Sequence, residues 1–217
     1  MITDESRFNF NILYTLRCAI QSDNLPQVIN ILNSNPTFCP DNYLMGSCST
    51  FHYACSEGAK ECLNYFLKDC HCNPNSISSP YGMTPAHLTV IHGKKELLEM
   101  LHEANANLRI EDSQGENILH KAALRGDIEL AQELLEKYSL KDLLIKPDNR
   151  GVLPCQGLKE LMAKGMHPKL LTKDREKSMN ELESLLHYLN VETLYIQNWN
   201  ARKNALFLRL LLRQQLV

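Results

Sequence analysis

Long apolar runs are missing from this 217-residue chain. The longest strongly apolar stretch, Ala205 to Leu212, is interrupted by Arg209 and falls far short of the about 20 residues a bilayer-spanning helix needs. No membrane insertion is expected. A large charge of either sign is missing too, since 23 Lys and Arg stand against 25 Asp and Glu for a formal net charge of -2. That balance gives no pull toward a polyphosphate backbone, so nucleic acid is not an expected partner. The chain begins with Asp4 and Glu5 where a secretory signal carries basic residues, and Arg17 breaks the apolar stretch behind them, so no signal peptide is read. Without one, the eight cysteines are expected as reduced thiols in a cytoplasmic protein. Glycine-rich phosphate loops, nucleophile elbows and paired carboxylates on a plausible scaffold are absent as well. The expectation is a protein that is not an enzyme and takes no cofactor.

What is present is a recurrence. STFHYACSEG (Ser49 to Gly58), TPAHLTVIHG (Thr84 to Gly93) and NILHKAALRG (Asn117 to Gly126) each place a histidine six positions before a glycine. His52, His87 and His120 lie 35 and 33 residues apart. A period of that length is the signature of stacked repeats, each too small to bury its apolar face alone. Within each repeat the pattern predicts a short helix, a glycine turn and a returning helix. Thr84 caps a helix whose first residue is Pro85, Gly93 ends it, and Leu97, Leu98 and Leu101 give the second helix its apolar face. Cys55 and Cys62 occupy small apolar positions in the first repeat, as free cysteine can.

These repeats resemble the ankyrin family, whose consensus runs glycine, TPLH, two alanines, glycine and a leucine-rich helix. TPAH at Thr84 to His87 is the best match, with Gly82 two residues before it and Gly115 at 33 residues beyond. NILH departs at threonine and proline, and STFH lacks the proline. The resemblance implies an all-α ankyrin-repeat solenoid with short hairpin loops. Its expected organisation is a capping repeat at about 8–40, repeats at about 43–75, 79–108 and 112–145, and a degenerate repeat at about 148–167. In the capping repeat Arg17 takes the histidine place and Asp23 the glycine place. The degenerate repeat restores Gly151 and Pro154. A helical extension over 168–217 is expected to pack on the last repeat, with one helix across Asp174 to Leu189 and another from about Glu192 to Gln214. The apolar run at Ala205 to Leu212 is expected to be buried.

Two clusters invite chemistry. His52 and Cys55, three apart on one helix, could present a metal pair or a nucleophile and its base, but the repeat register accounts for both as structure. Cys70, His71 and Cys72 could ligate zinc with Cys39 or Cys48, yet four converging ligands cannot be named, and the loop replaces the usual connection to the next hairpin. No metal is expected.

The resemblance also implies where a partner would bind, because hairpin tips and exposed first-helix positions line a concave groove. The corresponding residues are Tyr43 and Met45 in the first repeat and Tyr81, Met83, Ile91 and His92 in the second. The third supplies Gln114, Glu116, Leu124 and Arg125, and the fourth Arg150. Tyr43, Met45, Tyr81, Met83 and Ile91 make an apolar patch of the kind interfaces favour, while Glu116, Arg125 and Arg150 form a polar end. The functional expectation is a monomeric, non-catalytic adaptor or inhibitor that binds a protein partner. Two other readings stand beside it. One is an ankyrin-repeat effector delivered by an intracellular bacterium into the host-cell cytosol; the other is an enzyme or zinc protein with its site in the extension or the Cys70 to Cys72 loop.

Overall fold

Each of the three central repeats starts its first helix with the same local device. At Ser49 the side-chain oxygen accepts the amide of His52, and helix α3 follows at Thr50–Glu57. Thr84 accepts the amide of His87 while its own amide donates to the His87 Nδ1 at 3.1 Å, which closes a reciprocal cap on α5, Pro85–His92. Asn117 stands where the consensus has threonine. It exchanges the same two bonds with His120, at 3.4 and 3.2 Å, and starts α7, Ile118–Arg125. Ser, Thr and Asn share an oxygen at the right reach, so the departure in the third repeat leaves the cap intact.

The computed structural model describes residues 4–36, 38–41, 44–45, 48–78, 81–171 and 175–214, with the backbone alone at 4–10, 44–45, 175 and 205–214. It divides into two compact units, Met1–Lys121 and Ala122–Val217.

In the first unit, α1 (Asp4–Gln21) and α2 (Leu25–Ser34) precede a two-residue hairpin, β1 (Leu44–Met45) and β2 (Cys48–Ser49). Then come α3, α4 (Lys60–Lys68), α5, α6 (Lys95–Glu103) and the start of α7. The first helices α1, α3 and α5 pack side by side, and the second helices α2, α4 and α6 form a layer behind them. Leu16, Ala19, Ile20, Phe51, Ala54, Cys55, Ala86 and Val90 fill the first layer; Val28, Cys62, Leu63, Phe66, Leu98 and Leu101 fill the second. Phe51 meets Phe66 edge to face at a centroid distance of 6.4 Å, joining the layers. Small residues at 54 and 86 permit the close approach of neighbouring first helices.

Asp23 takes the turn that glycine takes elsewhere, with φ +48. Asp tolerates this left-handed conformation better than most residues. Its carboxylate then accepts the amides of Glu61 and Cys62, both at 3.0 Å, at the start of α4, whose own N-cap, Ala59, supplies no side-chain bond. The turn between α1 and α2 therefore caps a helix of the following repeat. Burial would raise the Asp23 carboxyl, but these amides outweigh it and hold it below its ordinary value.

The second unit holds the rest of α7, α8 (Ile128–Glu136), a 3-10 turn at Lys141–Ile145, α9 (Pro154–Ala163), a second 3-10 turn at Pro168–Leu171 and α10 (Arg175–Gln214). The segment that starts at Asp148 has the same hairpin bonds as the third repeat. Asp148 accepts the amides of Arg150 and Val152, both at 2.9 Å, as Asp112 accepts those of Gln114 and Glu116.

Where two C-terminal helices are expected, α10 is one helix of 40 residues. No proline or glycine lies between Arg175 and Gln214 to stop it, and the residues around Asn190 are not enough of a break. Its buried stripe is Leu182, Leu185, Leu189 and Thr193, packed on α8, α9 and both 3-10 turns. Gly126, left-handed at the end of α7, allows this: a Cβ there would stand 2.5 Å from the Leu182 side chain and 2.9 Å from the His167 ring. His167 is fully buried and reaches the Ala123 carbonyl at 3.2 Å, closing the end of α7. The side chains of the Ala205 to Leu212 run lie outside the described residues.

Candidate interaction surface

The recurrent histidines are committed to structure. The backbone amide of Thr84 can only donate, so the His87 Nδ1 accepts and the proton sits on Nε2. That Nε2 faces the carbonyls of Glu116 and Ile110 in the next hairpin, just short of full hydrogen-bond geometry. His52 does the same one repeat earlier, its Nε2 donating to the carbonyls of Ser76 at 3.1 Å and Met83 at 3.2 Å. His52 thus ties its repeat to the hairpin of the following one, and the His87 ring faces the hairpin after its own. Burial lowers the pKa of His52, and burial with the nearby Lys121 cation lowers that of His87 to about 4. These rings stay neutral and are neither exposed bases nor ligands.

Cys55, the proposed companion of His52, is fully buried, and burial pushes its thiol far up. A protonated thiol is a poor nucleophile. Cys70 and Cys72 are also raised by burial. Their loop turns at His71, φ +53, and is held by the Asn73 amide on the Asp41 carboxylate at 2.8 Å. The next loop repeats this, with the Asn107 amide on the Asn75 side chain at 2.6 Å. Among the described residues no group of three or more His, Cys, Asp or Glu is arranged to hold a metal ion.

Of the residues expected at a groove, the described ones of the first unit fall on successive hairpins and on α5. Tyr81 is 52% exposed at a hairpin tip, and its carbonyl accepts both the amide and the hydroxyl of Ser113. Gly82, φ +68, lets the two tips approach, because a Cβ there would stand 2.7 Å from the Ser113 nitrogen. The tyrosine side chain is therefore presented on a fixed backbone. Met83 and Ile91 are half-buried, and His92 and Gln114 are exposed. Tyr43 and the side chain of Met45 lie outside the described residues. In the second unit Leu124 is 37% exposed, Arg125 approaches Asp127 at 3.6 Å, and Arg150 binds the Asp148 carboxylate at 2.7 Å.

One residue was missed in the sequence. Lys121 is buried, and its ammonium pairs with both Asp112 and Glu116. Burial alone would raise the Asp112 carboxyl, but Lys121 and the amides of Glu116 and Gln114 hold it below its ordinary value. Glu116 is thus half-buried and engaged within the repeat. The signal available was a lysine directly after the repeat histidine, with two acids on the preceding hairpin.

Known proteins share this organisation. The family profile described as ankyrin repeats (3 copies) matches residues 51–145. The Notch-regulated ankyrin repeat-containing protein of Xenopus tropicalis is 32% identical over 102 residues, which cover 43% of this chain and 89% of that protein. Its counterpart A in Danio rerio is 34% identical over 71 residues, 33% of this chain and 62% of that protein. The nuclear factor NF-kappa-B p105 subunit of Gallus gallus is 33% identical over 69 residues, 32% of this chain and only 7% of that much longer protein. With the repeat caps, the hairpin bonds, the profile and a relative matched over most of its length, this chain belongs to the ankyrin-repeat family.

Proposed function

We propose that the chain is a non-catalytic protein-interaction module, an adaptor or inhibitor in the cytoplasm, that binds a protein partner through the hairpin tips and first helices of its repeats. The observation that carries this reading is Tyr81: a large amphipathic side chain, 52% exposed, on a hairpin whose backbone is fixed by Gly82 and Ser113. Rigid exposed aromatics bind with little loss of side-chain entropy, and Tyr is enriched among interface anchors. Met83 and Ile91 extend the apolar surface on the same unit. The reactive groups of the repeats point the same way, since the buried histidines and thiols are tied to backbone or protonated.

Affinity capture from lysate with the parent protein and with Tyr81→Ala tests this. The reading expects a captured protein to be lost with Tyr81→Ala while the thermal melt stays unchanged. Equal capture by both proteins would remove Tyr81 from the interface.

A further inference from the structure

We infer that the distal half of α10 is a docking element for an anionic phospholipid surface, on which it lies without crossing. The inference is independent of the repeat groove. From Gln197 to Asn204 every residue of the helix is exposed, a little over two turns with no face covered. The helix continues to Gln214. Tyr195 and Trp199, one turn apart, are 65% and 59% exposed. Tyr and Trp with an apolar body and a polar tip are the residues that settle at membrane interfaces.

Charge selects the occupant. From Thr193 to Gln214 the sequence holds Arg202, Lys203, Arg209 and Arg213 and no acidic residue. Arg202 and Lys203 carry no ion pair among the described residues. A second copy would bring two such cationic segments together, which like-charge repulsion opposes. A protein groove reads anchors at spacings of three, four and seven and leaves the other side of the helix polar. Here Leu206, Phe207, Leu208, Leu210, Leu211 and Leu212 are nearly consecutive, so apolar positions take most of the helical circumference. Arg202, Arg209 and Arg213, spaced by seven and four, share one narrow side, and Lys203 lies about a quarter turn from it. A broad apolar arc with a narrow basic one suits a helix in the boundary between acyl chains and headgroups, with guanidinium groups reaching lipid phosphates. Among the described residues no helix is long and apolar enough to cross the membrane.

The chain contains one tryptophan, Trp199, so its own fluorescence reports the event. The full chain is titrated with vesicles of phosphatidylcholine mixed with phosphatidylserine, and with phosphatidylcholine alone. The expected result is a blue shift of Trp199 emission and co-sedimentation with the mixed vesicles only, reversed by salt. Arg202→Glu with Lys203→Glu lowers partitioning at least about tenfold, since each basic residue near an anionic surface contributes strongly. Arg202→Gln with Lys203→Gln lowers it less, and both variants keep the parent's thermal melt because these side chains stand in water. The inference is overturned if emission does not move on mixed vesicles, or if neutral vesicles bind equally. It is equally overturned if the lipid-free protein is a dimer whose Trp199 emission is already blue, which would make a second copy the occupant.

Discussion

The buried ammonium of Lys121 is held by the carboxylate of Asp112, nine positions earlier, so the inner helix of the third repeat is pinned to its own hairpin. Glu116 completes the cluster from the same hairpin. Replacing Lys121 by methionine leaves two carboxylates facing each other without their cation. The expected loss is about 3–5 kcal/mol, because removing one partner of a buried pair strands the other charge. Urea unfolding of Lys121→Met measures it, and Asp112→Asn in the same background should recover part of the loss. Additive single and double changes would mean that the pair is not coupled.

Stability should fall as pH drops below about 6.5, where a buried histidine gives the first loss. His87 has its folded pKa lowered to about 4 from 6.5, so the unfolded chain binds the proton first. The stabilising contribution is fully present above about pH 6.5 and is lost as pH falls toward 4, on the order of 2–3 kcal/mol at pH 4.5. His52 and His167, also lowered by burial, act in the same sense. Urea midpoints at pH 7.5 and 4.5 measure the effect, and His87→Gln should flatten the slope. A midpoint independent of pH across that window contradicts the assignment.

Asp23 performs two jobs that different substitutions separate. Asn keeps both the left-handed turn and an acceptor for the α4 amides, Gly keeps only the turn, and Ala keeps neither. The expected order of stability is parent near Asp23→Asn, then Asp23→Gly, then Asp23→Ala, with the last lower by roughly 2 kcal/mol. Thermal melts rank them. Equal loss in the Gly and Ala variants would mean that backbone strain plays no part.

Gly126→Ala should cost more than about 2 kcal/mol, since the new methyl meets both an unfavourable φ and the Leu182 side chain. Leu182→Ala alone opens a cavity under α10 and is destabilising, yet in the Gly126→Ala background it relieves the clash. A double-mutant cycle by denaturant unfolding should therefore show a favourable coupling between the two sites. Strict additivity would argue against contact between the end of α7 and α10.

The repeats could be read from sequence because each of their signals acts within a few residues. A cap three positions before its histidine and a glycine six positions after it are local events, and even Asn117 obeys them. Other features depend on residues that come together only on stacking. Asp23 finds its amides 38 and 39 positions away, and Lys121 meets Glu116 only once the hairpin has folded back. Sequence periodicity divides α10 after Leu189, whereas packing of Leu185, Leu189 and Thr193 on either side of Asn190 holds one helix through it. At the candidate surface the sequence points to Tyr81, which is exposed, and to Glu116 and Arg150, which also pair with Lys121 and Asp148 respectively.

The proposed interface is tested most directly by the affinity of a captured partner for Tyr81→Ala, with Glu103→Ala at the exposed end of α6 as control. Calorimetry should give at least a tenfold weaker Kd for Tyr81→Ala, about 1.4 kcal/mol or more, and a value within about twofold of the parent for Glu103→Ala. Parent-like affinity in both variants, with both folded, would contradict binding through the hairpin tips of the repeats.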